Sequence, residues 1–164
     1  MVAMPYDFRL TLALFEPDIA ANAGAMLRTC ACLGAEAALI EPAGFSIDDS
    51  RFRRAAMDYL PAVHLVRHAS WAAFEGWLGD GESRLVLLTT KGATPLWDFR
   101  FEVGDVLLVG RESAGVPPHV AARAQAAVKI PMRPPMRSLN VSVSAGIALA
   151  EATRQLTARV ASPA

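Results

Sequence analysis

The chain has 164 residues, of which 53% are hydrophobic, and its 16 basic and 16 acidic residues give a formal net charge of zero. This size and composition predict one globular domain spanning residues 1–164, without the strongly basic balance of a non-specific nucleic-acid binder. Cys30 and Cys32 lie two residues apart, which is poor geometry for a disulfide and offers too few ligands for zinc. No signal peptide or membrane-spanning apolar run is recognisable, so we expect a cytoplasmic protein.

Hydrophobic patterns alternate along the chain between short strands and helices. Strands are predicted at residues 8–15, 37–40, 64–66, 84–88, 105–109 and 127–130. Helices are predicted from an N-cap at Asn22 to a stop at Gly34, after Asp48, over 71–78, after Pro117, and from 138–140 onward. This alternation predicts an α/β domain with a mainly parallel sheet flanked by helices, and a ligand site beyond the carboxyl ends of the strands.

Arg28 is the only charged residue between Asp18 and Glu36. Its apolar neighbours predict burial, where a guanidinium requires a partner or a ligand. The position alone leaves a structural salt bridge and an active-site role equally open.

Three polar segments follow predicted strand ends: 89–92 (TTKG), 110–117 (GRESAGVP) and the proline-rich loop 131–140. In the last of these, Ser138 and Asn140 can cap the following helix or bind a ligand, and a simple capped helix is the alternative. No dinucleotide or phosphate-loop motif, nucleophile elbow or Cys/His metal cluster occurs, which excludes the commonest α/β enzymes.

Acidic residues are absent from a long stretch of the C-terminal half, although the general frequency of arginine, fourteen residues against two lysines, is an alternative reason for its basic character. Residues 113–150 contain no Asp or Glu, and a local positive patch is predicted from the basic residues in or beside this stretch, namely Arg111, Arg123, Lys129, Arg133 and Arg137.

Three blocks in fixed order resemble the SPOUT class of RNA methyltransferases: PDIAANAGAMLRTC (17–30), LVGRESAGVP (108–117), and IPM (130–132) followed by SLNVS (138–142). The segments 40–42 (IEP) and 89–92 make the chain similar, within that class, to the small bacterial tRNA (cytidine/uridine) 2′-O-methyltransferases of the anticodon wobble nucleotide. The resemblance implies methyl transfer from S-adenosylmethionine to a ribose 2′-hydroxyl, without a metal. Alternatives are another tRNA or ribosomal RNA site, or a catalytically silent RNA- or nucleotide-binding module.

The resemblance also implies a C-terminal trefoil knot that holds S-adenosylmethionine, and a homodimer that grips a tRNA anticodon arm rather than DNA or a membrane. It places Arg28 at the catalytic centre, with Asn22, Glu112, Ser138 and Asn140 shaping the site. The implied cofactor-binding residues are Leu88, Thr89, Thr90, Gly92, Val109, Gly110, Glu112, Gly115, Ile130, Met132, Ser138 and Leu139.

Two positions depart from the class, since Ala114 and Ala150 stand where many relatives carry Arg and Tyr. The small residues of the last helix, at 145, 146, 148 and 150, are expected to pack at the dimer interface.

Overall fold

The computed structural model describes residues 8–79 and 83–160. Within these residues, seven strands form one sheet in the order β3-β2-β1-β6-β4-β7-β5, and each neighbouring pair is parallel. The strands are β1 (Thr11–Phe15), β2 (Glu36–Ile40), β3 (Leu65–His68), β4 (Leu85–Leu88), β5 (Thr94–Pro95), β6 (Val106–Val109) and β7 (Ala126–Lys129). The helices are α1 (Ala20–Leu33), α2 (Ser50–Ala56), α3 (Trp71–Leu78), α4 (Pro118–Arg123) and α5 (Val141–Val160), with short 3₁₀ helices at Met57–Ala62 and Leu96–Asp98.

Both faces of the sheet are buried, because successive side chains of a strand point to opposite sides. In β1, Leu12 and Leu14 join a cluster with residues of α1 and α5, whereas Ala13 and Phe15 join a cluster with residues of α3 and α4. Helices therefore cover both faces, and the predicted parallel α/β architecture is confirmed. None of the helices in the described ranges is long and apolar enough to cross a bilayer.

Strand β7 lies between β4 and β5 in the sheet, so the segment 89–93 that joins β4 to β5 crosses over β7. At the crossing, a Cβ on Gly92 would stand 2.5 Å from the carbonyl carbon of Val128. Only glycine permits so close an approach of two backbone segments. The crossing lies in the C-terminal part for which the resemblance implies a knot.

Helix α1 begins at Ala20, two residues before the predicted N-cap Asn22, which is therefore wrong as a cap. Ile19 occupies the cap position in an extended conformation, and no side chain caps the helix there. Asn22 lies inside the first turn, where its amide is engaged in other contacts. The predicted end is confirmed, since Gly34 closes the helix in the left-handed region with φ 75°.

Arg28 is exposed, although its apolar neighbours predict burial. Met26, Leu27 and Cys30 face the core, and Arg28 lies on the solvent side of α1. In α5, the prediction that residues 145, 146, 148 and 150 pack at a dimer interface is wrong for Ala145 and Ala148, which are fully buried in the chain's own core, while Ala150 is exposed.

Candidate active site

A cavity of about 410 Å³ opens beyond the carboxyl ends of β4, β6 and β7, beside the first turns of α1 and α5. Parallel strands bring their carboxyl ends to one edge of a sheet, which explains why segments distant in sequence meet there. Its lining consists of Ile19, Asn22, Leu88, Thr89, Thr90, Val109, Gly110, Arg111, Glu112, Gly115, Ile130, Met132, Ser138, Leu139, Asn140, Val141 and Ser144.

A chain of amide and carboxyl hydrogen bonds crosses one wall of this cavity. Asn140 Nδ2 donates to Asn22 Oδ1 at 3.0 Å, and Asn22 Nδ2 donates to Glu112 Oε1 at 3.2 Å. The chain thereby connects the start of α5, the first turn of α1 and the loop after β6. Because both ends of the Asn22 amide are engaged, its orientation is determined by tertiary contacts.

Asp18 and Glu112 bind each other's backbone. Asp18 N donates to Glu112 Oε2 at 3.0 Å, and Glu112 N donates to Asp18 Oδ1 at 3.1 Å. The Ser113 hydroxyl also donates to Asp18 Oδ2. These contacts hold the loop after β6 against the segment that leads into α1.

The two carboxyl groups have opposite pKa shifts. Hydrogen bonds from the Glu112 side chain and the Ser113 hydroxyl lower the pKa of Asp18 from 3.8 to about 2. Burial, together with the neighbouring Asp18 carboxyl, raises the pKa of Glu112 above its ordinary value of 4.5. Glu112 is therefore the weaker acid of the two.

Asn140 caps α5 with the same side chain that reaches Asn22. Its Oδ1 accepts from the backbone N–H of Ser142 at 2.8 Å and from the Ser142 hydroxyl at 2.6 Å. Of the two cap candidates in the sequence, Asn140 performs this role. Ser138 is exposed, lines the cavity, and has no hydrogen-bond partner within residues 8–79 and 83–160.

The cavity brings together all of the predicted cofactor-binding residues except Gly92, which lies at the backbone crossing instead. It also contains four of the predicted catalytic residues, namely Asn22, Glu112, Ser138 and Asn140. Ile19, Val141 and Ser144 also line the cavity and were not predicted, and Arg111, predicted only within the loop after β6 and for the positive patch, joins them. Helical spacing could have indicated Ser144, which follows Asn140 and Val141 on the first turn of α5.

Arg28 lies outside this cavity. It is six residues after Asn22 on α1, which places it about 9 Å further along the axis and roughly 120° around it. Its guanidinium carbon stands 5.3 Å from the ring centroid of Tyr59, and the described residues provide no carboxylate partner for it. The described part of the chain therefore contains no salt bridge to Arg28, and this alternative from the sequence is not confirmed.

The arrangement suits a medium-sized organic ligand with an apolar body and polar ends. Leu88, Val109 and Ile130 contribute apolar walls, while Thr89 and Thr90 contribute hydroxyls. The volume falls within the roughly 300–1,000 Å³ usual for small-molecule sites. Across residues 8–79 and 83–160, no group of three or more His, Cys, Asp or Glu side chains is placed to hold a metal.

Comparison with known proteins gives matches over most of the chain. Residues 9–150 match the SpoU rRNA Methylase family. A tRNA (cytidine(34)-2'-O)-methyltransferase of Beijerinckia indica is 60% identical over 147 residues, which cover 90% of this chain and 92% of that protein.

Two solved structures have the same fold. One, described as giving structural insights into the 2-OH methylation of C/U34 on tRNA, superimposes with a TM-score of 0.88 at 45% identity and covers 93% of this chain and 99% of its own. The AdoMet-bound rRNA methyltransferase from Sinorhizobium meliloti superimposes with a TM-score of 0.83 at 28% identity, covering 90% of this chain and 57% of its own.

Proposed function

The chain belongs to the SpoU rRNA Methylase family, and we propose that it transfers a methyl group from S-adenosylmethionine to the ribose 2′-hydroxyl of nucleotide 34, a cytidine or uridine at the wobble position of tRNA. The observation that carries this proposal is the 60% identity to a tRNA (cytidine(34)-2'-O)-methyltransferase over nine-tenths of both chains. Residues from all three blocks that carry the resemblance line one cavity, which also supports the proposal.

The residues of the cavity fit S-adenosylmethionine. A flat adenine requires apolar walls, which Leu88, Val109 and Ile130 supply. Gly110 packs so tightly that a Cβ would stand 2.6 Å from the carbonyl carbon of Gly115, so the backbone itself forms the wall there. Ser138 and Thr90 present hydroxyls that can bind the polar ends of the molecule.

When bound, the cofactor supplies an electrophilic methyl group on a sulfonium. The protein would hold the ribose hydroxyl in line with that methyl carbon, with S-adenosylhomocysteine as the leaving group and the hydroxyl proton passing to water. Asn22, Glu112 and Asn140 hold the wall of the site in one arrangement. The Ser138 hydroxyl, which has no partner in the described part of the chain, is available to hydrogen-bond the ribose or the cofactor.

Arg28 is proposed to stabilise the negative charge that the ribose oxygen acquires as its proton leaves to water. A guanidinium stays protonated in proteins, so it acts as a positive clamp rather than as a base. Because Arg28 lies outside the cavity of its own chain, we place it at the cavity of a second copy in a homodimer. The exposed apolar side chains Ile19 and Leu139, at 47% and 41% exposure on the rim of the cavity, support an interface there.

The loop after β7 contributes to RNA binding in this proposal. Arg133 and Arg137 are exposed on the segment that follows β7, and neither forms an ion pair in residues 8–79 and 83–160. Free guanidinium groups beside the cavity suit the phosphates of the anticodon arm. The 2′-hydroxyl that is methylated distinguishes RNA from DNA.

The remaining features implied by the family are proposed in the same way. We infer one methyltransferase domain over residues 1–164, a trefoil knot built around the crossing of segment 89–93 over β7, and action in the cytoplasm, where tRNA is the substrate. The crossing supports the knot because segment 89–93 passes over β7, a strand that comes later in the chain.

The test is methyl transfer from radiolabelled S-adenosylmethionine to total tRNA from a strain that lacks this gene, followed by mapping of the labelled nucleoside. Label in 2′-O-methylcytidine or 2′-O-methyluridine at position 34 is expected. Label at another tRNA position or in ribosomal RNA would replace the substrate and keep the chemistry. Cofactor binding without transfer to any RNA would instead favour a silent binding module.

A further inference from the structure

A second cavity, of about 400 Å³, lies next to the candidate active site and has no part in the mechanism above. It shares Arg111 and Gly115 with the first cavity, so the two lie on either side of the loop that follows β6. Its lining consists of Phe15, Glu16, Trp71, Arg111, Ala114, Gly115, Val116, Pro117, Pro118 and His119.

One wall of the second cavity is aromatic and held in place. Trp71 opens α3, and its ring meets Phe15 edge-on at 5.9 Å and Phe74 at 5.3 Å. His119 is exposed at the rim, while Val116 and Pro117 are partly buried and add apolar surface. Such walls suit a flat heterocycle, because π-faces and apolar side chains bind bases without regard to their sequence.

The polar groups of the second cavity suit a nucleotide. Arg111 Nη1 lies 3.2 Å from Glu16 Oε2, and Arg111 Nε lies 3.9 Å from Asp18 Oδ2. The Arg111 side chain remains 41% exposed, so donors are free for a phosphate or ribose between the two cavities. The Glu16 carboxylate can accept from the amino or imino groups of a base.

Glu16 also has an unusual backbone conformation, with φ 42° in the left-handed region. A non-glycine residue there is uncommon, and such residues concentrate at functional sites. The conformation directs the chain from β1 into the segment that carries Asp18, at the border of both cavities.

We propose that the second cavity binds the base of a nucleotide adjacent to the one that is methylated. This inference rests on the proposed function and specifies how that site selects its substrate. The methylated ribose must reach a cofactor held in the first cavity, and only the loop after β6 separates that cavity from the second, so the second cavity lies beside the path of the same RNA strand. RNA recognition commonly splays the bases of a single-stranded loop and stacks them on aromatic side chains.

The test combines altered enzymes with altered RNA. Ala114→Leu adds bulk at the cavity wall from an exposed loop position, and Ala122→Leu, at an exposed position of α4 outside the lining, is the matched control. The RNAs are anticodon stem-loops that are intact or abasic at nucleotide 33 or 35. KM and kcat for methyl transfer are measured for every combination, and cofactor binding by calorimetry verifies that each variant is folded.

With wild-type enzyme and the Ala122→Leu control, we expect one of the two abasic RNAs to raise KM about tenfold, as the loss of one stacked base does. Ala114→Leu should raise KM for the intact RNA by a similar factor. Its KM for that abasic RNA should be no higher than its KM for the intact RNA. His119→Ala, at the exposed rim, should likewise reduce the penalty of the abasic RNA.

The proposed base site would be overturned if the KM increases caused by Ala114→Leu and by the abasic RNA multiplied when the two were combined. It would also be overturned if wild-type enzyme methylated both abasic RNAs as well as the intact one. Either result would leave the proposed function standing. Failure of the wild-type enzyme to methylate the intact stem-loop and whole tRNA would instead remove the proposed function, and the base site with it.

Discussion

At the scale of single residues, Asn140 connects the stability of α5 to the geometry of the cavity. Its Oδ1 caps the helix through Ser142, and its Nδ2 holds Asn22. Asn140→Asp keeps the acceptor and removes the donor, so stability should be retained while methyl transfer falls. Asn140→Ala removes both, and we expect a loss of about 1 kcal/mol in the free energy of unfolding as well.

Urea unfolding and methyl-transfer rates on the two variants distinguish the roles. Equal activity in Asn140→Asp and wild type would show that the contact with Asn22 is dispensable. Equal stability in Asn140→Ala and wild type would show that the cap contributes nothing to α5.

The raised pKa of Glu112 predicts a pH dependence of stability. A carboxyl whose pKa is higher in the folded state contributes stability that is present below its unfolded pKa of 4.5 and is lost as pH rises through the folded value. The Glu112→Gln variant lacks this titrating group. The free energy of unfolding of the variant, relative to that of wild type, should therefore rise as pH increases above 4.5. Urea titrations from pH 4 to 8 measure the difference while Asp18, with a pKa of about 2, stays ionised. A difference that is constant with pH would exclude the shift.

Individual residues also show where sequence patterns stop being informative. The pattern around Arg28 consists of apolar neighbours, yet a helix can bury Leu27 and Cys30 and still expose Arg28. Asn22 has the identity of a cap, but its amide binds Glu112 and Asn140, which are 90 and 118 residues away. Such partners depend on the fold and cannot be read from neighbours in the chain.

At the scale of elements, the packing of α1 on α2 depends on Gly24. A Cβ at this position would stand 2.4 Å from the backbone oxygen of Phe52, which cannot move without displacing α2. Gly24→Ala should therefore destabilise the protein by about 1–3 kcal/mol. Gly76 in α3 is the matched control, since a Cβ there meets nothing within 4 Å, and Gly76→Ala should stabilise by about 0.5–1 kcal/mol.

Urea midpoints for the two glycine variants give the comparison directly. Shifts of the same sign for Gly24→Ala and Gly76→Ala would contradict the contrast in packing, because helix propensity alone favours alanine at both positions.

Most strands could be predicted because each is a continuous apolar run buried on both faces, as in β6 (Val106–Val109). Strand β5 (Thr94–Pro95) could not, since two residues that are only partly buried leave no hydrophobic pattern. The site at the carboxyl ends follows from the parallel sheet, and the cavity residues follow from the resemblance. The crossing of segment 89–93 over β7 has no local signature beyond Gly92, whose close contact with Val128 appears only in the folded chain.

At the scale of the whole molecule, the separation of Arg28 from the cavity predicts that active sites are composite. If each site combines the cavity of one subunit with the guanidinium of the other, two different impaired variants can restore one another. Arg28→Ala keeps an intact cavity, and Asn140→Asp keeps an intact Arg28. Each alone should transfer methyl groups more slowly than wild type, whereas a mixed dimer contains one complete site and one doubly defective site.

Refolding the two variants together in equal amounts gives half mixed dimers, so about one quarter of wild-type methyl transfer is expected by the two-fold symmetry of the dimer. Refolding either variant with itself is the control, and Arg28→Lys with Asn140→Asp tests whether positive charge without the planar guanidinium is sufficient. If Arg28 acted within its own subunit, each subunit of the mixed dimer would carry a defect and no activity would return. Because the tRNA and the cofactor are the same in every mixture, restored transfer can arise only from residues shared between subunits.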